Sequence, residues 1–159
     1  GDGMSAFFAL NEMKKNINFE DCKMYLYDSW SSMQKNDLTS SELSNVGRYH
    51  NLSMDKTKNN LSEFSSKLIF HPGYIPQSFS DLTESPQEII YLHIDLNATK
   101  PTIGALDFFY PKIVKGGIIL FDDYGNTGYP DTKIQVDKFF QDKSGILMKS
   151  PTGQAIYYV

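Results

Sequence analysis

Two near-continuous apolar runs constrain this chain more than anything else in it. Residues 88–95, EIIYLHID, and residues 115–123, KGGIILFDD, are each the length of one strand. Each stops at carboxylates: Asp95 in the first, Asp122 and Asp123 in the second. A run without polar alternation reads as a fully buried strand, the habit of parallel sheets whose faces are both covered by helices. The flanking segments supply those helices. Spacing predicts helices over 4–15, 53–64 (with Ser53 as N-cap), 101–113 (with Pro101 in the first turn) and 131–143. It predicts a further strand over 22–30, a strand then a turn over 67–75, and a terminal hairpin over 145–159 around SPTGQ. The polar stretch 31–52 reads as a mobile loop or short helix, and as a candidate lid over a site. Strands alternating with helices imply a Rossmann-like, mostly parallel α/β sheet with a C-terminal antiparallel hairpin, one domain over 1–159. In open α/β sheets ligands gather beyond the carboxyl ends of the strands. Asp28, Gly73, Asp95 and the Asp122/Asp123 pair are therefore expected on one rim.

Composition removes several function classes. The chain has 159 residues, 40% of them hydrophobic, enough for one domain with a real core. Its formal net charge is −4 with no block of Lys or Arg, which argues against nucleic acid. No apolar run approaches the roughly 18 residues of a membrane span. A lone cysteine, Cys22, allows neither an internal disulfide nor a cysteine metal cluster. With no signal peptide evident, a reducing, cytoplasmic setting is expected. His71 and His93 sit on or beside apolar strands and read as structural, so zinc is disfavoured.

The candidate site residues fall into two groups. GDG at 1–3 precedes a helix, and such a glycine turn leaves backbone N–H groups open to a ligand; it reads equally well as a loose terminus. Asp28 stands 25 residues after Gly3 at the end of the next strand. An acid about 20 residues past the glycines is the usual acceptor for two ribose hydroxyls. Gly73 permits close packing of an adenine-like ring, with Tyr74 or Ile75 as its cover, although HPGYIP is also a plain turn sequence. Asp95, Asp122 and Asp123, with Asn97 nearby, form an oxygen-rich set suited to a hard cation such as Mg2+, Mn2+ or Ca2+. The bland reading makes one of the paired aspartates a loop cap.

YLHIDLN, VKGGIILFDDYGNTGY and SPTGQAIYY together resemble the class I S-adenosylmethionine-dependent methyltransferases of the macrocin O-methyltransferase type. YLYDSW and FHPGYIPQSF are similar to that branch's second and third strand motifs. The resemblance implies methyl transfer from S-adenosylmethionine to a hydroxyl of a sugar or small natural product, helped by a divalent cation, with Mg2+ expected. Gly1 and Gly3 match the glycine motif. Asp28, with Ser29 beside it, matches the ribose acid. Gly73, Tyr74 and Ile75 match the adenine segment. Asp95, Asp122 and Asp123 match the metal carboxylates, and Asp95 doubles as the catalytic base. Asn97 stands where many relatives carry a second Asp, which removes one negative charge. The family's first strand has no counterpart ahead of Gly1, so an N-terminally truncated copy that binds the donor weakly is expected, and an exposed sheet gap would favour a homo-oligomer.

Two rival readings remain. One is a catalytically inert Rossmann-like binding domain. The other is a haloacid-dehalogenase-type phosphatase, with Asp95, Asn97 and Thr99 in place of its D-x-D-x-T motif. Against the second, only 27 positions separate Asp95 from Asp122, and Asn97 would remove the general acid.

Overall fold

The predicted alternation forms along the whole chain in a computed structural model that describes residues 1–15 and 18–159. The helices are α1 Met4–Met13, α2 Met54–Asn60, α3 Thr99–Phe109 and α4 Pro130–Phe140. The strands are β1 Met24–Asp28, β2 Leu68–Pro72, β3 Ile89–Ile94, β4 Ile113–Phe121, β5 Ile146–Lys149 and β6 Ala155–Tyr158. They build two compact units that interleave in sequence: Gly1–Ser32 with Arg48–Ser85, and Met33–Gly47 with Pro86–Val159.

In the first unit β1 and β2 pair in parallel, Met24 opposite Leu68 through Asp28 opposite Pro72. Leu10 of α1, Leu61 and Phe64 form its core, with Ala6, Phe7, Met24, Leu26 and Leu68 packed against them. Ala6, Phe7 and Leu10 recur at helical spacing, which is why 4–13 folds as a helix with one apolar face. Ser53 caps α2 as expected, its hydroxyl accepting from Lys56 N at 3.4 Å.

The second unit holds a four-stranded sheet in the order β3-β4-β6-β5. β3 and β4 run parallel, and the β5–β6 hairpin completes the sheet antiparallel to β4. One face carries Ile119, Phe121, Ala155 and Tyr157, all essentially buried. Phe140 of α4 packs there, stacked on Tyr157 with centroids 3.7 Å apart and edge-on to Phe121. β3 departs from expectation. It is an edge strand, not a fully buried one, and Ile90 is 56% exposed. The composition of a strand reports its apolar content but not how many neighbours the topology gives it.

Of the two readings of the polar stretch 31–52, the short helix is the one that forms. Ser40–Asn45 is a 3-10 turn belonging to the second unit, and Glu42 within it has no exposed surface. Its carboxylate closes a capping box on Thr39 N at 2.9 Å and accepts from Thr99 N at 3.0 Å and Thr99 Oγ1 at 2.5 Å. Ala98, the N-cap of α3, offers no side-chain acceptor, so Glu42 supplies one across 57 positions and places an anion at a helix N-terminus. The start of α3 is thereby fixed just after Asp95 and Asn97. Glu42→Ala leaves the buried Thr99 N–H and the half-buried Thr39 N–H without this acceptor and is expected to lower unfolding free energy by about 2–4 kcal/mol in urea titration, with Glu42→Gln costing less. A loss below about 1 kcal/mol for the alanine variant would show that the bonds do not hold the segment.

Candidate functional site

Asp95 directly follows β3, and Asp122 and Asp123 directly follow β4. The parallel ladder carries on past the strands, with Asp122 N donating to Ile94 O at 3.0 Å. Register therefore brings the carboxylates together, and one oxygen from each lies within 4.8 Å of the others. Asp123 is buried, Asp122 half-buried and Asp95 exposed. None of the three joins an ion pair among the described residues. Amides hold them instead. Asn97 Nδ2 donates to Asp95 Oδ1 at 2.9 Å and to Asp123 Oδ2 at 2.6 Å, and Asn97 N donates to the same Asp123 oxygen at 2.9 Å. Gln154 Nε2 donates to Asp122 Oδ1 at 2.6 Å. Asn97 thus serves as a donor to two carboxylates, not as the extra oxygen expected from its type. Three like charges have more need of N–H groups than of another acceptor. The backbone of Asn97 lies in the left-handed region, φ 53°, which Asn tolerates better than most residues.

Burial and like charges together make these carboxyls weaker acids. Burial pushes the Asp123 carboxyl up to about 6, with the Asp95 charge adding to it and the Asn97 bonds opposing it. Asp95 is also raised, by burial and then by the Asp122 carboxylate, against the pull of His93 and Asn97. Because Asp95 as a residue is exposed, its desolvation is partial and the like charge of Asp122 is the firmer cause. His93 stands on the same face of β3, and its buried Nε2 has no hydrogen-bond partner among the described residues.

An all-oxygen donor set fits a hard cation. Ligand oxygens on opposite sides of one ion lie about 4–5 Å apart for Mg2+ through Ca2+ bond lengths, and the cluster already has that spread. The phosphatase reading fares worse, because Thr99 turns its hydroxyl to Glu42 and to Thr132 instead of the carboxylates.

The other candidates converge in the first unit, at the carboxyl ends of β1 and β2. GDG is anchored rather than loose. Thr57 Oγ1 donates to Gly1 O at 2.8 Å, Asn60 Nδ2 to Asp2 O at 2.9 Å, and Lys56 Nζ meets Asp2 Oδ2 at 2.5 Å. Asp28 Oδ2 ion-pairs with the amino group of Gly1, and its Oδ1 accepts from Trp30 N at 2.7 Å. Gly73 N donates to Asp28 O at 2.9 Å, which joins the two strand ends. A Cβ on Gly73 would stand 2.6 Å from Ser78 Cβ, so only glycine lets the chain pass so close. Ser29 Oγ turns back onto Ser31, Tyr74 Oη donates to Ser32 O at 2.9 Å, and Ile75 is buried. Within the first unit the strand ends bring Asp28 and Gly73 together, and within the second they bring together Asp95, Asp122 and Asp123.

Trp30 was not singled out by sequence. It adopts φ 44°, rare for a bulky residue, and its Nε1 donates to Thr57 Oγ1 at 2.9 Å. Strained backbone two residues after a ligand-type acid is a common mark of a functional loop. Nothing in the spacing of YDSW announces it.

Residues 3–150 match the model of the family described as macrocin-O-methyltransferase (TylF). Among solved structures, the O-methyltransferase NovP superposes with a TM-score of 0.74 at 19% identity over 94% of this chain. The calicheamicin methyltransferase CalS11 follows at 0.68 and 20% over 86%, and an apo structure of CalS11, described as a TDP-rhamnose 3'-O-methyltransferase, at 0.58 and 18%. At such identities these likenesses speak for the fold. The chain spans 66% of the length of NovP and 60% of that of CalS11. A comparison with curated proteins finds no match. No helix among the described residues is long and apolar enough to cross a membrane.

The raised Asp123 carboxyl has a thermodynamic consequence. Its folded value of about 6 exceeds the ordinary 3.8, so the folded state holds the proton more tightly than the unfolded chain. Stability is therefore full below pH ~4 and lost as pH rises to about 6, by at most about 3 kcal/mol. Asp123→Asn should flatten that slope in urea titrations run with a chelator present. An equal slope in both proteins would show that the carboxyl is not strained by its neighbours.

Proposed function

Because the chain belongs to the macrocin O-methyltransferase family, we propose that it transfers a methyl group from S-adenosylmethionine to a hydroxyl of a sugar or small natural product, with help from a divalent cation such as Mg2+. The carboxylate cluster at the ends of β3 and β4 is the observation that carries the reading: three acidic groups share one small space, and among the described residues none of them joins an ion pair.

The acceptor oxygen attacks the methyl carbon in line with the sulfonium. A C–O bond forms as the C–S bond breaks, and the electron pair returns to sulfur, which departs as the neutral thioether S-adenosylhomocysteine. The donor is already activated, so the difficulty lies in the acceptor hydroxyl. Asp95, exposed and with a raised pKa, takes the acceptor proton; a base closer to neutrality is the better match for a weak acid. Asp122 and Asp123 hold the cation with Asp95, and the cation supplies Lewis acidity toward the acceptor hydroxyl when bound. Asn97 spaces Asp95 from Asp123 through its two bonds. Fixing the reacting atoms in line supplies much of the remaining rate.

On the donor side, backbone at Gly1 and Gly3 lies beside Asp28, which takes the ribose hydroxyls with Ser29 next to it. The adenine would lie near Gly73, Tyr74 and Ile75 at the end of β2, where Gly73 lets the chain pass close to Ser78. Both Asp28 oxygens already have a donor, Trp30 N on Oδ1 and the Gly1 amino group on Oδ2, so ribose hydroxyls would share or displace these partners. The polar 31–52 segment suits a hydroxylated acceptor, and the lone Cys22 suits a reducing cytoplasm.

Methyl transfer from labelled S-adenosylmethionine to a panel of glycosides and nucleotide sugars tests the reading. Transfer should stop with EDTA and return with Mg2+. Asp95→Asn should lower kcat by about 10²–10⁴-fold. Transfer that survives both EDTA and Asp95→Asn would remove the cation and base roles. Calorimetry that detects no S-adenosylmethionine binding would favour the inert binding domain.

A further inference from the structure

Gln154 has no part in the chemistry above, yet it touches the site. It lies in the turn of the C-terminal hairpin just before β6, half-buried, with Nε2 donating to Asp122 Oδ1 at 2.6 Å. The amide is oriented from behind. Thr152 Oγ1 donates to Gln154 Oε1 at 3.1 Å, and Ser150 Oγ lies 2.7 Å from Thr152 Oγ1 and accepts from Thr152 N at 3.3 Å. With a hydroxyl on Oε1, only the NH2 end is left to face Asp122.

The backbone clamps the same turn to the same loop. Gly125 N donates to Gly153 O at 2.6 Å. A Cβ on Gly125 would stand 3.2 Å from Gly153 O and 3.3 Å from Gly153 Cα, tight enough to push the turn away. Asp95 and Asp123 share the Asn97 amide, whereas the side-chain donor to Asp122 comes from Gln154.

We infer that Gln154 is a positioning residue that holds the Asp122 carboxylate in its binding orientation, through the Ser150–Thr152–Gln154 chain of the hairpin turn. With Oδ1 occupied by the amide, Oδ2 is the oxygen offered to a cation. Groups that orient metal ligands typically change metal affinity 10- to 100-fold when removed. The inference rests on the cation-assisted reading of the same cluster.

Mn2+ titration followed by electron paramagnetic resonance tests it without any need for turnover. Wild type should bind one Mn2+ at the cluster. Gln154→Met, similar in size but without the donor, should bind Mn2+ about 10- to 100-fold more weakly, with an unchanged urea midpoint in chelator. Thr152→Val should weaken binding in the same direction but less, and it carries the test if Gln154→Met fails to fold. Wild-type affinity in a folded variant would overturn the inference and leave the cation reading standing, as would a lower urea midpoint with unchanged affinity. A wild-type chain that binds no Mn2+ would overturn both.

Discussion

Gathering three carboxylates within 4.8 Å, with no ion pair to any of them among the described residues, is the constraint on which the second unit is organised. Parallel register between β3 and β4 brings Asp95 alongside Asp122. The left-handed turn at Asn97 aims both a backbone and a side-chain N–H at the same crowd. The hairpin turn adds a donor from Gln154, and Glu42 fixes the helix that begins immediately afterwards. Each device answers the same electrostatic problem: ionised groups taken from water need donors, counter-charge or a bound ion.

Such a site works against the fold that carries it. Asp123 is a weaker acid than an ordinary aspartate because its burial and the charges of Asp95 and Asp122 oppose ionisation. A cation at the cluster would relieve that cost and restore full ionisation. The same imbalance raises the Asp95 carboxyl, which suits the proton-acceptor role proposed for it. Stability is thus lower where reactivity is arranged, a common pattern at functional sites.

Much of this was legible in the sequence, and the failures are specific. The apolar runs announced two strands ending in acids, and parallel pairing followed from the helix between them. SPTGQ marked the hairpin turn. The edge position of β3 was not legible, because strand composition does not record how many neighbours a strand has. Asn97 was expected to add an oxygen; its donor role depends on a left-handed backbone that its residue type permits but does not announce. Glu42 and Thr99 lie 57 positions apart, so their bond exists only after folding. Trp30 and Gln154 carried no spacing signal, since both act through loop geometry.

The central claim is that Asp95, Asp122 and Asp123 form one cation site. Anomalous diffraction from crystals of the chain grown with Mn2+ tests it directly. The account predicts a single strong peak within about 2.6 Å of an oxygen from each of the three aspartates. Saturating Mn2+ with no peak among those carboxylates would contradict it.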